Sequence, residues 1–193
     1  MMQIEAAQKY ILSKLEQELA PNLYYHGIHH TLDVVNVALQ IAEEENVKDS
    51  EFLALLKTAA TYHDSGFLMA YSGHEAEGCG IVRDVLPGFG YSQGHIEIIC
   101  GMIMSTKVPQ SAATDLEKIL CDADLDYLGR DDFKSIGETL YAELSARSLI
   151  GNRQDWNQLQ IRFLESHQYH TKRSRLLREP QKQAHLNELR ETV

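Results

Sequence analysis

This chain of 193 residues predicts an all-α fold, and three observations predict it. Apolar residues recur every three or four positions along most of its length, the period of a helix with one buried face. No segment sustains the alternation of β-branched and polar residues that a half-buried strand requires. Four prolines occur, Pro21, Pro87, Pro109 and Pro180, each where an apolar period breaks.

Ile4, Ala7, Ile11, Leu15 and Leu19 define a first amphipathic helix, which Pro21 stops. Further apolar periods predict helices over residues 30–45, 51–64, 75–85, 94–104, 114–128, 133–149 and 154–167. From residue 171 onward the chain reads as polar helix or arm. No repeat and no low-complexity segment interrupts it. The length suits one well-buried domain and is short for two. Residues 1–193 are therefore expected to form a single domain, with a helical C-terminal extension over residues 150–193.

Apolar residues make up 44% of the chain and charged residues 24%, a globular balance. Eighteen Lys and Arg against 28 Asp and Glu give a net charge of −10. Such a surface repels phosphate backbones and anionic bilayers, which argues against a nucleic-acid polymer or a membrane as partner. The charge is uneven, because residues 162–193 hold seven basic and four acidic side chains. Cys79, Cys100 and Cys121 cannot all pair, and none forms a CxxC. That usage suits reduced thiols in a cytosol. The first residues carry charges every few positions and no signal-type apolar core. Nothing approaches the ~18 uncharged apolar residues of a membrane span. A cytoplasmic protein is expected.

The informative residues are polar side chains that fall inside an apolar arc. At about 100° per residue, Val34, Val35, Val37, Ala38, Ile41 and Ala42 define the inner face of the second helix. His30 falls within that arc, while His29 falls among Asp33, Asn36 and Gln40. In the third helix His63 lies in the middle of the face built by Leu55, Leu56, Ala59 and Ala60, with Asp64 at its edge. Adjacent helical residues reach one point only where the helix ends, and Ser65-Gly66 supplies such an end. A carboxylate in a last helical turn opposes the helix dipole by about 0.3–1 kcal/mol unless a cation is near. In the helix over 114–128, Asp124 sits between Leu120 and Leu128, whereas Asp122 and Asp126 fall outside the arc. Each group alone reads equally as a hydrogen-bonded core histidine, a cap or an ion-pair partner. Two imidazoles and two carboxylates converging from three helices are also a ready set of ligands for a divalent metal.

These residues carry a resemblance. His30, the His63-Asp64 doublet and Asp124 resemble the H…HD…D signature of the HD-domain superfamily of metal-dependent phosphohydrolases. YHGIHHTLDV, AATYHDSGF and CDADLDYLG are similar to the family's entry motif, its buried helix ending in HD-x-G, and its aspartate helix. The resemblance covers residues 20–145 and implies an HD-type helical bundle. It also implies that His30, His63, Asp64 and Asp124 bind one divalent transition metal. Two nitrogens and two oxygens suit Mn, Fe, Co, Ni or Zn better than Mg. His26 matches the phosphodiesterase histidine that protonates the leaving oxygen, or else is a loop histidine hydrogen-bonded to a ligand. Asp64 joins it as the catalytic carboxylate.

His74, in HxxxG with Gly78, resembles the first histidine of a second metal site. The matching second histidine is missing, since Met104-Ser105-Thr106 stands where it is expected and His95 lies a helix length away. His74 and Glu75 are therefore read as substrate-pocket groups, with a surface helix as the alternative. Thr106 and Lys107 are placed to touch a phosphate, or are merely solvated. His167 and His170 read as a solvent-facing helix end. Lys172, Arg173, Arg175 and Arg178 read as a charge match to the acidic body or as a cluster reaching over the pocket. The first helix has enough apolar surface for a homodimer, and packing on its own domain explains it equally well.

The expected function is hydrolysis of a phosphoester or pyrophosphate bond of a small phosphorylated metabolite, a nucleotide first among them. The alternative is a regulatory HD module that binds metal and nucleotide without turnover.

Overall fold

The computed structural model describes residues 1–192, which form ten α-helices and no strand. In chain order they are α1 (Ile4–Glu18), α2 (Ile28–Glu44), α3 (Ser50–Tyr62), α4 (His74–Val85) and α5 (Gln93–Ser105). Then come α6 (Asp115–Asp124), α7 (Phe133–Ala146), α8 (Arg153–Ser166), α9 (Lys172–Leu177) and α10 (Glu179–Arg190). Short 3-10 turns follow α3 (Ser65–Leu68), α4 (Leu86–Phe89) and α6 (Asp126–Gly129). Among the described residues no helix is long and apolar enough to cross a membrane.

Local chemistry explains where these helices start. The Asp49 carboxylate accepts from the amides of Glu51 and Phe52 and caps α3. Ser92 with His95, and Thr114 with Glu117, form reciprocal capping boxes at α5 and α6. Asn152 and Thr171 cap α8 and α9 by accepting from the amides of Asp155 and Ser174. Asn46 takes a left-handed φ of 61° just beyond α2 and ends it.

Two apolar clusters result. The larger joins Ile11, Val34, Leu55, Ile99 and Leu120, so α2 and α3 pack between α1, α5 and α6. The Tyr62 hydroxyl ties α3 to α1 by donating to the Ala7 carbonyl at 2.8 Å. The smaller cluster joins Tyr25, Leu128, Phe133, Leu164 and Leu186 from the second half of the chain. Between them meet the N-terminus of α2 and the C-termini of α3 and α6.

The structure corrects three expectations. The helix over 114–128 ends at Asp124, and residues 126–129 turn as a 3-10 segment. Asp122 and Asp126, placed outside the apolar arc, are both buried. The reason is a second neighbour on their side of α6, the segment from His170 to Arg178. Asp122 accepts from the amides of His170 and Thr171 and from the Thr171 hydroxyl. Asp126 accepts from Arg173 Nη1 at 2.8 Å and Arg178 Nε at 2.9 Å. Of the basic cluster, Arg173 and Arg178 are thus internal charge partners, and none of its four residues lines the main cavity. His167, expected at a solvent-facing helix end, is buried under α10, where Lys182 donates to its carbonyl at 2.6 Å. Burial, with the Lys182 ammonium beside it, pushes the His167 imidazole down to about 3.

Candidate metal centre

Three helix ends supply the centre. Gly27 is extended at φ −92° and ψ 174°, and the chain then enters α2 with His30 in the first turn, on the same inward face as Val34. His63 is the residue that closes α3. Asp64 leaves the helix at φ −100° and ψ 6°, which turns its carboxylate back beside His63. Asp124 is the last residue of α6. Two helix C-termini, each bearing a carboxylate, thus concentrate negative potential at one place.

The donor atoms lie close together. His30 Nε2 is 3.4 Å from His63 Nε2 and 3.1 Å from Asp124 Oδ1. His63 Nε2 is 3.2 Å from Asp64 Oδ2 and 3.6 Å from Asp124 Oδ1. His30 Nε2 is 3.6 Å from Asp64 Oδ2. His30, His63 and Asp124 form the tightest group, their donor atoms all within 4.8 Å of one another. Asp64 joins it through its contacts with the two imidazoles.

A divalent cation fits this donor set on two grounds. His63 Nδ1 donates to the Ala60 carbonyl at 2.8 Å, so the lone pair of the neutral ring sits on Nε2, facing His30. Asp64 Oδ2 is buried and makes no hydrogen bond, although two imidazoles stand beside it. Nitrogen and oxygen ligands about 2.1 Å from a shared cation stand about 3.0–3.4 Å apart; the separations of 3.1, 3.2 and 3.4 Å fall in that range, and the two of 3.6 Å lie just beyond it. Burial resists charging of Asp64, and the His63 and His74 imidazoles override it, holding the carboxyl well below the usual range. Burial likewise opposes protonation of His63, and Asp64 and Asp124 outweigh it and raise its pKa. Asp124 is lowered to about 2, its bonds to His30 and His63 outweighing desolvation.

The remaining candidates surround this group. His74 stacks on Phe67 with ring centroids 3.9 Å apart and an interplanar angle of 19°. Its Nε2 is 3.4 Å from Asp64 Oδ1 and 3.8 Å from the buried Glu75. The Thr106 hydroxyl donates to the Ile103 carbonyl, and Lys107 is exposed. His26, Asp64, His74, Glu75, Thr106 and Lys107 all line one cavity of about 580 Å³, which also reaches Asp124. His95 is elsewhere, capping α5 with Glu51 3.5 Å away.

One functional candidate was missed from sequence. Glu143 of α7 is fully buried, and its Oε1 accepts from His26 Nδ1 at 2.5 Å and from the Tyr71 hydroxyl at 2.9 Å. Its Oε2 accepts from the amides of Tyr25 and His26 at 2.9 and 3.1 Å. Burial opposes ionisation of Glu143, and the bond to His26 overrides it, lowering its pKa. A signal was present, since at roughly 100° per residue Glu143 falls beside Ile136 at the edge of the apolar arc of α7.

Residues 27–126 match the HD domain family. No curated protein matches the chain by sequence. Among solved structures, Bacillus subtilis YpgQ in complex with ADP is similar at 19% identity and a TM-score of 0.66. That match covers 99% of this chain and 95% of YpgQ. A Lactobacillus plantarum protein matches at 17% identity and a TM-score of 0.66, covering 98% of this chain and 96% of its own. A second YpgQ structure matches at 18% and 0.65, covering 100% of this chain and 98% of its own.

Proposed function

The chain belongs to the HD domain family, and from that premise we propose that it is a metal-dependent phosphohydrolase acting on a small phosphorylated metabolite, a nucleotide first among them. The observation that carries this reading is the convergence of His30, His63 and Asp124 beside an unpartnered Asp64 oxygen, with Asp64 and Asp124 on the wall of the main cavity. The ADP complex of YpgQ supports the nucleotide part.

In this reading His30, His63, Asp64 and Asp124 hold one divalent transition metal. Such a cation supplies an activated water and neutralises phosphate charge. The chain's own residues do the rest. Asp64 turns Oδ2 toward the two imidazoles and keeps Oδ1 near His74, where it can receive the proton of the attacking water. Glu143 holds the His26 proton on Nδ1, which leaves Nε2 to serve the leaving oxygen once that ring is protonated. Phe67 and Asp64 together fix the His74 ring at the cavity wall.

The test is phosphate or nucleoside release across a nucleotide panel with Mn²⁺, Co²⁺, Ni²⁺, Zn²⁺ and Mg²⁺, with Asp64→Ala alongside. Turnover by the parent and none by the variant supports the reading. Nucleotide retained stoichiometrically without product overturns it in favour of a regulatory module.

A further inference from the structure

Cys79 of α4 and Cys100 of α5 are free thiols that take no part in the metal centre. Cys79 Sγ donates to the Cys100 carbonyl at 3.6 Å, and Cys100 Sγ donates to the Cys79 carbonyl at 3.8 Å. Two side chains that each reach the other's backbone lie alongside one another. A disulfide asks for that mutual approach, with Cβ atoms about 3.5–4.5 Å apart. Both residues are buried, but the surface is one helical turn away. Arg83, four residues on in α4, and Glu97, three residues back in α5, form a half-exposed ion pair 3.8 Å apart. A surface pair of that kind holds little free energy and opens readily, which admits a small oxidant. The hydrogen bond from Cys79 lowers the pKa of the Cys100 thiol, burial opposes it, and Arg83 acts with Cys79. Cys100 is therefore the sulfur that ionises first. Cys121 differs, because it donates to the Ser105 carbonyl at 3.2 Å and burial pushes it up to about 12.

We propose that Cys79 and Cys100 are a disulfide site, closed by hydrogen peroxide, that controls the main cavity through α4. The Cys100 thiol loses its proton and its sulfur attacks the peroxide. An S–O bond forms, the O–O bond breaks, and the departing hydroxide takes up that proton as water. The Cys79 sulfur then attacks the Cys100 sulfenic acid. The S–S bond forms, the S–O bond breaks, and the Cys79 proton leaves with the hydroxide as a second water. Two thiols are oxidised and one peroxide is reduced. Turning a hydrogen-bonded contact into a covalent bond draws α4 toward α5. The metal centre feels that movement, because α4 rests on the turn that follows α3. A Cβ on Gly78, next to Cys79, would stand 3.4 Å from Ser65 Oγ and 3.6 Å from the His63 carbonyl oxygen. The first two residues of α4 are His74 and Glu75, both on the cavity wall. The effect on turnover rests on the hydrolase reading, and the crosslink itself does not.

The experiment treats the full chain with hydrogen peroxide, alkylates the remaining thiols in denaturant with iodoacetamide, and maps the peptides by mass. In parallel it follows nucleotide turnover with Mn²⁺ before oxidation, after removal of the peroxide, and after dithiothreitol. The expected result is that three free thiols fall to one, with Cys79 joined to Cys100 and Cys121 still alkylated. Turnover should fall at least about 5-fold and return with dithiothreitol, since small displacements of positioned groups cost that much or more. Cys100→Ser, and Cys100→Ala as a second variant, should form no crosslink and keep their turnover under the same peroxide. Three intact thiols, or oxidation of each thiol to its own oxyacid without a crosslink, overturns the disulfide site. A crosslink that leaves turnover unchanged, or an equal loss of turnover in the Cys100 variants, overturns its control of the cavity. A crosslink in a chain that hydrolyses no nucleotide before oxidation upholds the disulfide site and overturns the hydrolase reading instead.

Discussion

Glu143 Oε1 accepts a hydrogen bond from His26 Nδ1 at 2.5 Å, joining α7 to the approach of α2 across 117 residues of sequence. The same carboxylate takes up the amides of Tyr25 and His26 and the Tyr71 hydroxyl. It therefore orients the imidazole and fixes which nitrogen carries the proton. Glu143→Gln keeps the shape but loses the charge and one acceptor. With a nucleotide substrate, kcat/KM should fall about 10- to 100-fold, the scale on which a positioned general acid contributes. Steady-state kinetics beside a thermal melt checks this, and unchanged kinetics would remove Glu143 from the site.

Gly66 fixes the placement of His74. A Cβ at Gly66 would stand 1.8 Å from the His74 carbonyl oxygen and 2.6 Å from the Gly78 amide nitrogen. Both obstacles are backbone, so no side chain can swing aside. Gly66→Ala should cost about 3 kcal/mol and should reduce turnover through the displaced His74. Denaturant unfolding and the same kinetic assay measure the two effects.

Asp126 locks the C-terminal segment onto the end of α6. Its carboxylate is 1% exposed and neutralises Arg173 and Arg178 together. Asp126→Ala leaves Arg178 without its counter-charge and Arg173 with Glu44 alone, 3.4 Å away, and should cost about 3 kcal/mol. Arg153→Ala breaks a pair with Glu138 that is half exposed on both sides, so it should cost less than about 1 kcal/mol. Comparable losses in the two variants would contradict the burial argument.

His167 makes stability fall in mild acid. Its folded pKa of about 3 lies below the ordinary 6.5, so the unfolded chain binds a proton that the folded chain refuses. Stability is full above 6.5 and declines as pH drops from there toward 3, by at most about 1.4 kcal/mol per pH unit. Denaturant melts between pH 7 and 5 should show this slope, and His167→Gln should flatten it. An identical slope in both proteins would assign the effect to other groups.

Much of the centre was legible because an apolar arc belongs to a single helix. His30, His63 and Asp124 are polar residues inside such arcs, and Ser65-Gly66 marks the helix end that lets Asp64 join His63. Asp122 and Asp126 were misread because the side of α6 they occupy is covered by residues 170–178, which nothing within 114–128 can reveal. His167 was misread for the same reason, since α10 covers it. The cavity wall built by Leu140, Leu144 and Leu159 escaped because these residues have ordinary core spacing. Periodicity says that such residues turn inward, and not whether they meet one another or a space.

The metal centre is tested most directly by titrating Mn²⁺ into the parent and into Asp64→Ala by calorimetry, with phosphate release from ADP followed on the same samples. One Mn²⁺ per chain with turnover in the parent, and loss of both in a variant that still melts cooperatively, is the predicted result. A parent that binds no divalent metal, or a variant that binds it equally well, would contradict it.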